Sequence, residues 1–127
     1  MIKETGITDM NCLLDTMMKD DIANTPRDKL LLLIEDYLEE GIEYWVDGKR
    51  AGYALMMNCN GERCFHGHKI IEGYAVAAYR IAKRMTDKYP KAYIGYQEGN
   101  ASIERLTRML GFKETLRVGI NVKTERN

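Results

Sequence analysis

The sequence predicts an α+β domain: one mixed, mostly antiparallel sheet flanked by helices, in the order β-α-α-β-β-β-α-β-α-β. Three features carry that expectation. Alternation of period two runs from Ile42 to His66 and is broken twice by hairpin signals, Asp47-Gly48 and Asn60-Gly61. Apolar residues at helical spacing follow, from Ile71 to Tyr89. A last alternation, Leu116, Val118, Ile120 and Val122, returns the chain to strand.

Each element has its own local reason. Met1 to Ile7 reads as a short first strand, and Thr8 or Asp9 caps a helix carrying Met10, Leu13, Leu14, Met17 and Met18. A second helix starts with Thr25 as N-cap, Pro26 at the first helical position and Asp28 three residues after the cap. Its buried stripe is Leu30, Leu31, Ile34, Tyr37 and Leu38, and Glu39-Glu40-Gly41 ends it with Gly41 at the C-cap. Ile42, Tyr44 and Val46 then alternate with Glu43, Trp45 and Asp47. Arg50 to Met57 is the return strand, and Arg63 to His66 the third of three antiparallel strands. A long helix spans about Ile71 to Lys88, with Arg80, Lys83, Arg84, Asp87 and Lys88 away from its apolar face. Pro90 follows its end and Ala92 to Tyr96 is a strand. Asn100 caps a short helix bearing Ile103, Leu106 and Leu110 that Gly111 closes.

The 127 residues suit a single domain, 1–127, because two cores cannot be buried from so short a chain. With 45% hydrophobic and 30% charged residues the composition is that of a soluble globular protein. Lys+Arg and Asp+Glu both total 19, and this balance argues against a nucleic-acid partner. No apolar run approaches the ~20 residues that span a bilayer, so no membrane partner is expected. The N-terminus lacks the charged-then-apolar pattern of a secretion signal. Three cysteines, Cys12, Cys59 and Cys64, and eight methionines argue against a disulfide scaffold and for a reducing, cytoplasmic setting.

Several segments carry a family resemblance. Asp47-Gly48-Lys49-Arg50-Ala51-Gly52-Tyr53-Ala54 follows a hairpin pattern of Asp-Gly, three residues, Gly, an aromatic and Ala. Asn100 to Phe112 keeps the spacing of a segment that begins with Asn, has Ala, Leu and Tyr inside, and ends in Gly-Phe. Ile103 stands for the usual Ala and Thr107 for the usual Tyr. On these segments, and on Met1 to Asp9 as opening strand and helix cap, the chain resembles the Gcn5-related N-acetyltransferase (GNAT) superfamily over nearly its whole length. Its trimmed size is similar to small acetyltransferase-like proteins of tailed phages.

The resemblance implies transfer of an acetyl group from acetyl-CoA, a substrate, to a primary amine on a small molecule or a protein. The superfamily's acyl-CoA signature has Gln or Arg, two residues, Gly, one residue, then Gly or Ala. It aligns with Ile70-Ile71-Glu72-Gly73-Tyr74-Ala75. Gly73 and Ala75 leave room for backbone N–H groups at a helix N-terminus to receive pyrophosphate oxygens. Ile70 replaces the polar first residue, and Glu72 adds a negative charge beside an anion site. Ile71, Gly73, Tyr74 and Ala75 are thus the implied cofactor contacts, joined by Asn100, which also caps its helix.

Transfer needs a base for the ammonium proton, a backbone N–H for the thioester oxygen and an acid for the departing thiolate. Cys64, His66 and His68 lie at period-two spacing on the strand that borders the acceptor in the superfamily. His66 or His68 is the candidate base, set against two histidines that merely end a strand. Thr107 occupies the place of the usual acid, which leaves Tyr96, Tyr93 or Tyr74 to substitute; Tyr96 is the one chosen. Cys59 and Cys64, flanking Asn60 to Arg63, can be cross-strand neighbours and with His66 and His68 supply four zinc-type ligands. Their spacing is not that of paired knuckles, so no metal is assigned. The rival reading is a GNAT fold without catalysis, a binding or structural protein of phage origin located in a virion. A homodimer is compatible with either.

Overall fold

Both hairpin signals turn the chain as their residue types dictate. Asp47, Gly48, Asn60 and Gly61 all have positive φ (52°, 79°, 54° and 90°), the two-residue turn that matches strand twist. The computed structural model describes residues 1–21 and 23–126. Along the chain lie β1 (Ile2–Thr5), α1 (Met10–Asp20), α2 (Arg27–Tyr37), β2 (Leu38–Val46), β3 (Lys49–Cys59), β4 (Glu62–Lys69) and α3 (Ala75–Lys88). Then come β5 (Tyr93–Gln97), α4 (Ala101–Met109), β6 (Lys113–Val118) and β7 (Asn121–Glu125). The strands form one seven-stranded sheet in the order β1-β2-β3-β4-β5-β7-β6. Every pairing is antiparallel except β4 with β5. The mixed, mostly antiparallel sheet flanked by helices is therefore as expected.

Successive β3 side chains divide the core between the two sheet faces. Ala54 and Met56 join Phe65, Ile81, Ala82, Met85 and Ile103 under α3 and α4. Tyr53 and Leu55 join Leu13, Leu14, Met17, Leu30 and Ile34 under α1 and α2. The sheet thus separates two core clusters. Among the described residues no helix is long and apolar enough to cross a membrane.

Four local expectations are corrected. The second helix has Pro26, not Thr25, at its N-cap, with no side-chain cap bond; the Thr25 N–H instead donates to Asp21 Oδ2 at 2.8 Å. That helix ends at Tyr37, because Leu38, Glu40 and Gly41 pair with Met57, Met56 and Leu55 of β3. Gly41 is no C-cap: a Cβ there would meet Ile7 Cγ1 at 3.1 Å, so close packing selects glycine. The long helix begins at Ala75 rather than near Ile71, since the N–H groups of Ile70 and Ile71 both donate to Ala51 O of β3 (2.8 and 3.3 Å). Finally, the single last strand is a hairpin. Gly119, with φ +60°, turns β6 back onto β7, and of the four alternating residues only Val122 is buried.

Candidate active site

The site is made by a parting of strands. β4 pairs with β3 along its whole length, Cys59↔Glu62 to Gly52↔Lys69, but with β5 only at Cys64↔Tyr93 and Phe65↔Ile94. Beyond Phe65 the β4–β5 pairing ends, while β5 stays paired on its other edge with β7, from Ile94↔Thr124 to Gln97↔Asn121. Alternate N–H and C=O groups of residues 66–69 therefore face a gap instead of a neighbouring strand. A cavity of about 600 Å³ opens on the α1/α2 side of this gap, and one of about 180 Å³ on the α3/α4 side. Asp20, Gly67, His68, Asn100 and Ile103 line both.

Period-two spacing puts Cys64, His66 and His68 on the side of the larger cavity, as the sequence suggests. His68 Nδ1 lies 2.9 Å from Asp20 Oδ2 at the end of α1. A carboxylate only accepts, so Nδ1 carries a proton, and the neutral tautomer of this ring has its lone pair on Nε2. That Nε2 is buried and without a hydrogen-bond partner among the described residues. An oriented imidazole with a free basic nitrogen at a gap between two cavities is suited to accept a proton. The His66 ring stacks on His68 with centroids 6.4 Å apart. Burial, with a smaller contribution from His68 whenever that ring is protonated, pushes the His66 pKa down to about 4, so His66 stays neutral at neutral pH.

The α3/α4 side has the character of an anion groove. α1 and α4 are capped by side chains, Asp9 and Asn100, whereas α3 has no side-chain cap. Its first amides, at exposed Ala75 and Val76, are those that lack intrahelical partners. Tyr74 is the N-cap residue, and Gly73 just before it has φ +94° with open space where a Cβ would point. The backbone angle, not crowding, demands glycine there. Lys19, Lys69 and Arg105 line the groove along with Asp20 and Glu72, and Lys69 Nζ holds Glu72 Oε2 at 2.9 Å. That pair neutralises the acid the sequence places beside the anion site. These residues fit a pyrophosphate at the α3 N-terminus. The Ile71 N–H is engaged by Ala51 O at 3.3 Å.

Asn100 Oδ1 accepts from the Ile103 N–H at 3.3 Å, which is the expected cap, and its side chain still reaches both cavities. Thr107 is buried in α4 and donates to Ile103 O at 2.6 Å. Tyr96 is half-buried, packs against the α3/α4-side core and also lines the larger cavity. Burial, helped by the nearby charges of Glu104 and Glu114, raises its pKa and keeps the phenol protonated. Tyr93 lines the larger cavity from the other face of β5, beside Cys64. The two cysteines are not direct cross-strand partners: Cys59 is exposed opposite Glu62, and buried Cys64 faces Met57. Among the described residues no group of three or more His, Cys, Asp or Glu is arranged to hold a metal.

Two residues of this arrangement escape the sequence reading. Asp20 lies 48 positions from His68, and no local pattern links them. Gly67 does leave a signal, a glycine inside a strand between two histidines. A Cβ at Gly67 would crowd Phe65 Cε2 at 3.2 Å and narrow the groove toward Ile103.

No protein-family model matches the chain, and no curated protein matches it. Solved structures do. A protein of Pyrococcus horikoshii OT3 superposes with a TM-score of 0.70 at 16% identity, covering 100% of this chain and 99% of that one. The PaiA N-acetyltransferase of Thermoplasma acidophilum, in complex with coenzyme A, gives 0.67 at 10% identity over 100% and 99%. The N-acetyltransferase PseH of Campylobacter jejuni, in complex with acetyl coenzyme A, gives 0.64 at 12% over 98% and 96%. At such identities the likeness is one of fold, and the chain has the fold of the GNAT superfamily.

Proposed function

We propose that this protein is an acetyl-CoA-dependent N-acetyltransferase acting on a primary amine in the cytoplasm. The observation that carries the reading is the gap between β4 and β5. There an unpaired strand edge, His68 Nε2 and Asn100 meet both a groove with an uncapped helix N-terminus and a separate cavity. The coenzyme A and acetyl coenzyme A bound to two of the structural neighbours support it. Gly73, Tyr74 and Ala75 hold the pyrophosphate, and the β4 edge with Asn100 holds the pantetheine arm. Acetyl-CoA supplies the acyl group as a thioester. His68 Nε2 takes the proton of the incoming ammonium, and Asp20 steadies the imidazolium that results. A β4 N–H facing the gap stabilises the charge that develops on the carbonyl oxygen. The C–N bond forms on attack; as the C–S bond then breaks, the Tyr96 hydroxyl gives the thiolate its proton, and the phenolate takes up the second proton that the nitrogen loses on becoming an amide.

Ile70, in place of the polar first signature residue, and Thr107 stand on the side of a catalytically silent binding protein; the Thr107 hydroxyl is engaged within α4 and lines neither cavity. Tyr96 answers the second with a phenol on the wall of the larger cavity. Titration calorimetry with acetyl-CoA tests the cofactor half of the reading. Wild-type protein is expected to bind, and Gly73→Glu to weaken binding roughly tenfold or more through charge repulsion and a strained φ. Equal affinity in that variant would place acetyl-CoA elsewhere.

A further inference from the structure

We infer that the acceptor is a small monoamine with an extended apolar body, an inference that rests on the larger cavity being the acceptor side of the proposed reaction. Its volume, about 600 Å³, lies within the range of small-molecule sites and far exceeds what an amine head group needs. Most of its wall is apolar: Met17, Leu30, Leu33, Leu55, Met57 and Val122. The apolar character continues to the rim, where Leu33, Leu116 and Val118 are 43%, 55% and 64% exposed. These side chains have no role in the core and serve the fold little by facing water.

The charges of the cavity narrow the class further. Three acids line it: Asp20, Asp21 and Glu62. Asp21 is committed to the fold, its carboxylate accepting from the N–H groups of Ala23 and Thr25 and from Gln97 Nε2. Those bonds outweigh its burial and hold its pKa below the usual value. Glu62 is paired with Lys123 at 3.2 Å, and Lys123 in turn covers the Tyr93 ring. Of the three, only Asp20, beside His68 at the gap, remains to meet a cation. One ammonium is therefore accommodated, at the end where transfer takes place. A second ammonium farther out would meet the apolar side chains of Leu33, Leu116 and Val118 with no unpaired acid to receive it, and a hydroxyl-rich body would find few hydrogen-bond partners on that rim.

The test is an equilibrium binding series on the full chain, with and without coenzyme A, read by ligand-observed NMR and calorimetry. The probes are n-octylamine, 2-phenylethylamine, spermidine, n-octanol and an Ala-initiated pentapeptide. The two monoamines are expected to bind roughly tenfold or more tighter than spermidine, octanol and the peptide. Leu33→Lys, at an exposed rim position that the fold does not need, should weaken n-octylamine by roughly the same factor. It should leave acetyl-CoA affinity unchanged, because that groove lies on the other face of the sheet. Spermidine or the peptide binding as tightly as the monoamines would overturn the inference, as would failure of either monoamine to bind. So would a Leu33→Lys variant that binds n-octylamine normally. Because the readout is binding, monoamines that are held but never acetylated leave this inference standing and defeat the catalytic reading. Spermidine that is bound best and acetylated does the reverse.

Discussion

His68→Gln is expected to lower kcat/KM near neutral pH about 10²-fold or more, the scale on which a positioned general base acts. The amine arrives mostly protonated, and the nitrogen must lose that proton to attack. Glutamine keeps the size of the side chain and removes the basic Nε2. The acetyl-CoA affinity should be nearly unchanged, because its contacts come from Gly73, Ala75 and the strand edge. Asp20→Asn should lower kcat by a smaller factor with the same acetyl-CoA KM, since Asp20 positions the ring and does not take the proton itself. Replacing His66 together with His68 should cost little more than His68 alone. A ring whose pKa is about 4 binds a proton too weakly at neutral pH to serve as the acceptor. Steady-state kinetics on these variants decides the matter, and a double variant with full activity would remove both histidines from the mechanism.

Glu43→Ala is expected to destabilise the fold by about 3–5 kcal/mol, the cost of breaking a buried charge pair from one side. Glu43 is fully buried on β2. Its carboxylate accepts from the Thr8 N–H and hydroxyl at 3.3 and 2.7 Å and from Trp45 Nε1 at 2.9 Å, and Arg50 Nε lies 3.4 Å away. Burial pushes its pKa up, but the bonds from Thr8 and Trp45 and the charge of Arg50 outweigh burial and hold it below the ordinary 4.5. Its contribution is therefore fully present above the unfolded value and is lost as pH falls through the folded one. His66 adds to the acid sensitivity at higher pH. Its folded pKa, about 4, lies below the ordinary 6.5, so between these values the unfolded chain binds the proton and stability falls with pH. Urea melts of wild type and Glu43→Ala at pH 7 and pH 4 read both effects. The variant should be less stable at pH 7 and lose less on acidification. An unaltered midpoint at pH 7 would mean that the carboxylate network does not hold β2 to the start of α1.

Local chemistry and long-range placement divide what the sequence could and could not disclose. Asp47-Gly48 and Asn60-Gly61 need positive φ, so the β2–β3–β4 meander could be read directly. Asn100 caps α4 by the bond its position predicts. Where pairing competes with local propensity, pairing wins. Leu38 to Gly41 look helical but extend against β3, and the apparent last strand bends at Gly119 because β6 finds its partner in β7. The alternation of Leu116, Val118 and Ile120 suggests a buried face, yet all three are exposed on an edge hairpin. The histidine strand was readable from period two. The Asp20–His68 bond was not, because tertiary packing of α1 against β4 creates it.

The most direct test of the proposed activity is product stoichiometry in a single-turnover experiment. Wild-type protein is mixed with acetyl-CoA and a broad panel of primary amines, n-octylamine and 2-phenylethylamine among them. Free coenzyme A thiol and N-acetylated amine are then quantified together by mass spectrometry. One equivalent of acetylamine is expected for each thiol released, with transfer nearly abolished in His68→Gln. Acetyl-CoA that is neither bound nor consumed with any amine would contradict it and assign the GNAT fold of this chain to a binding role.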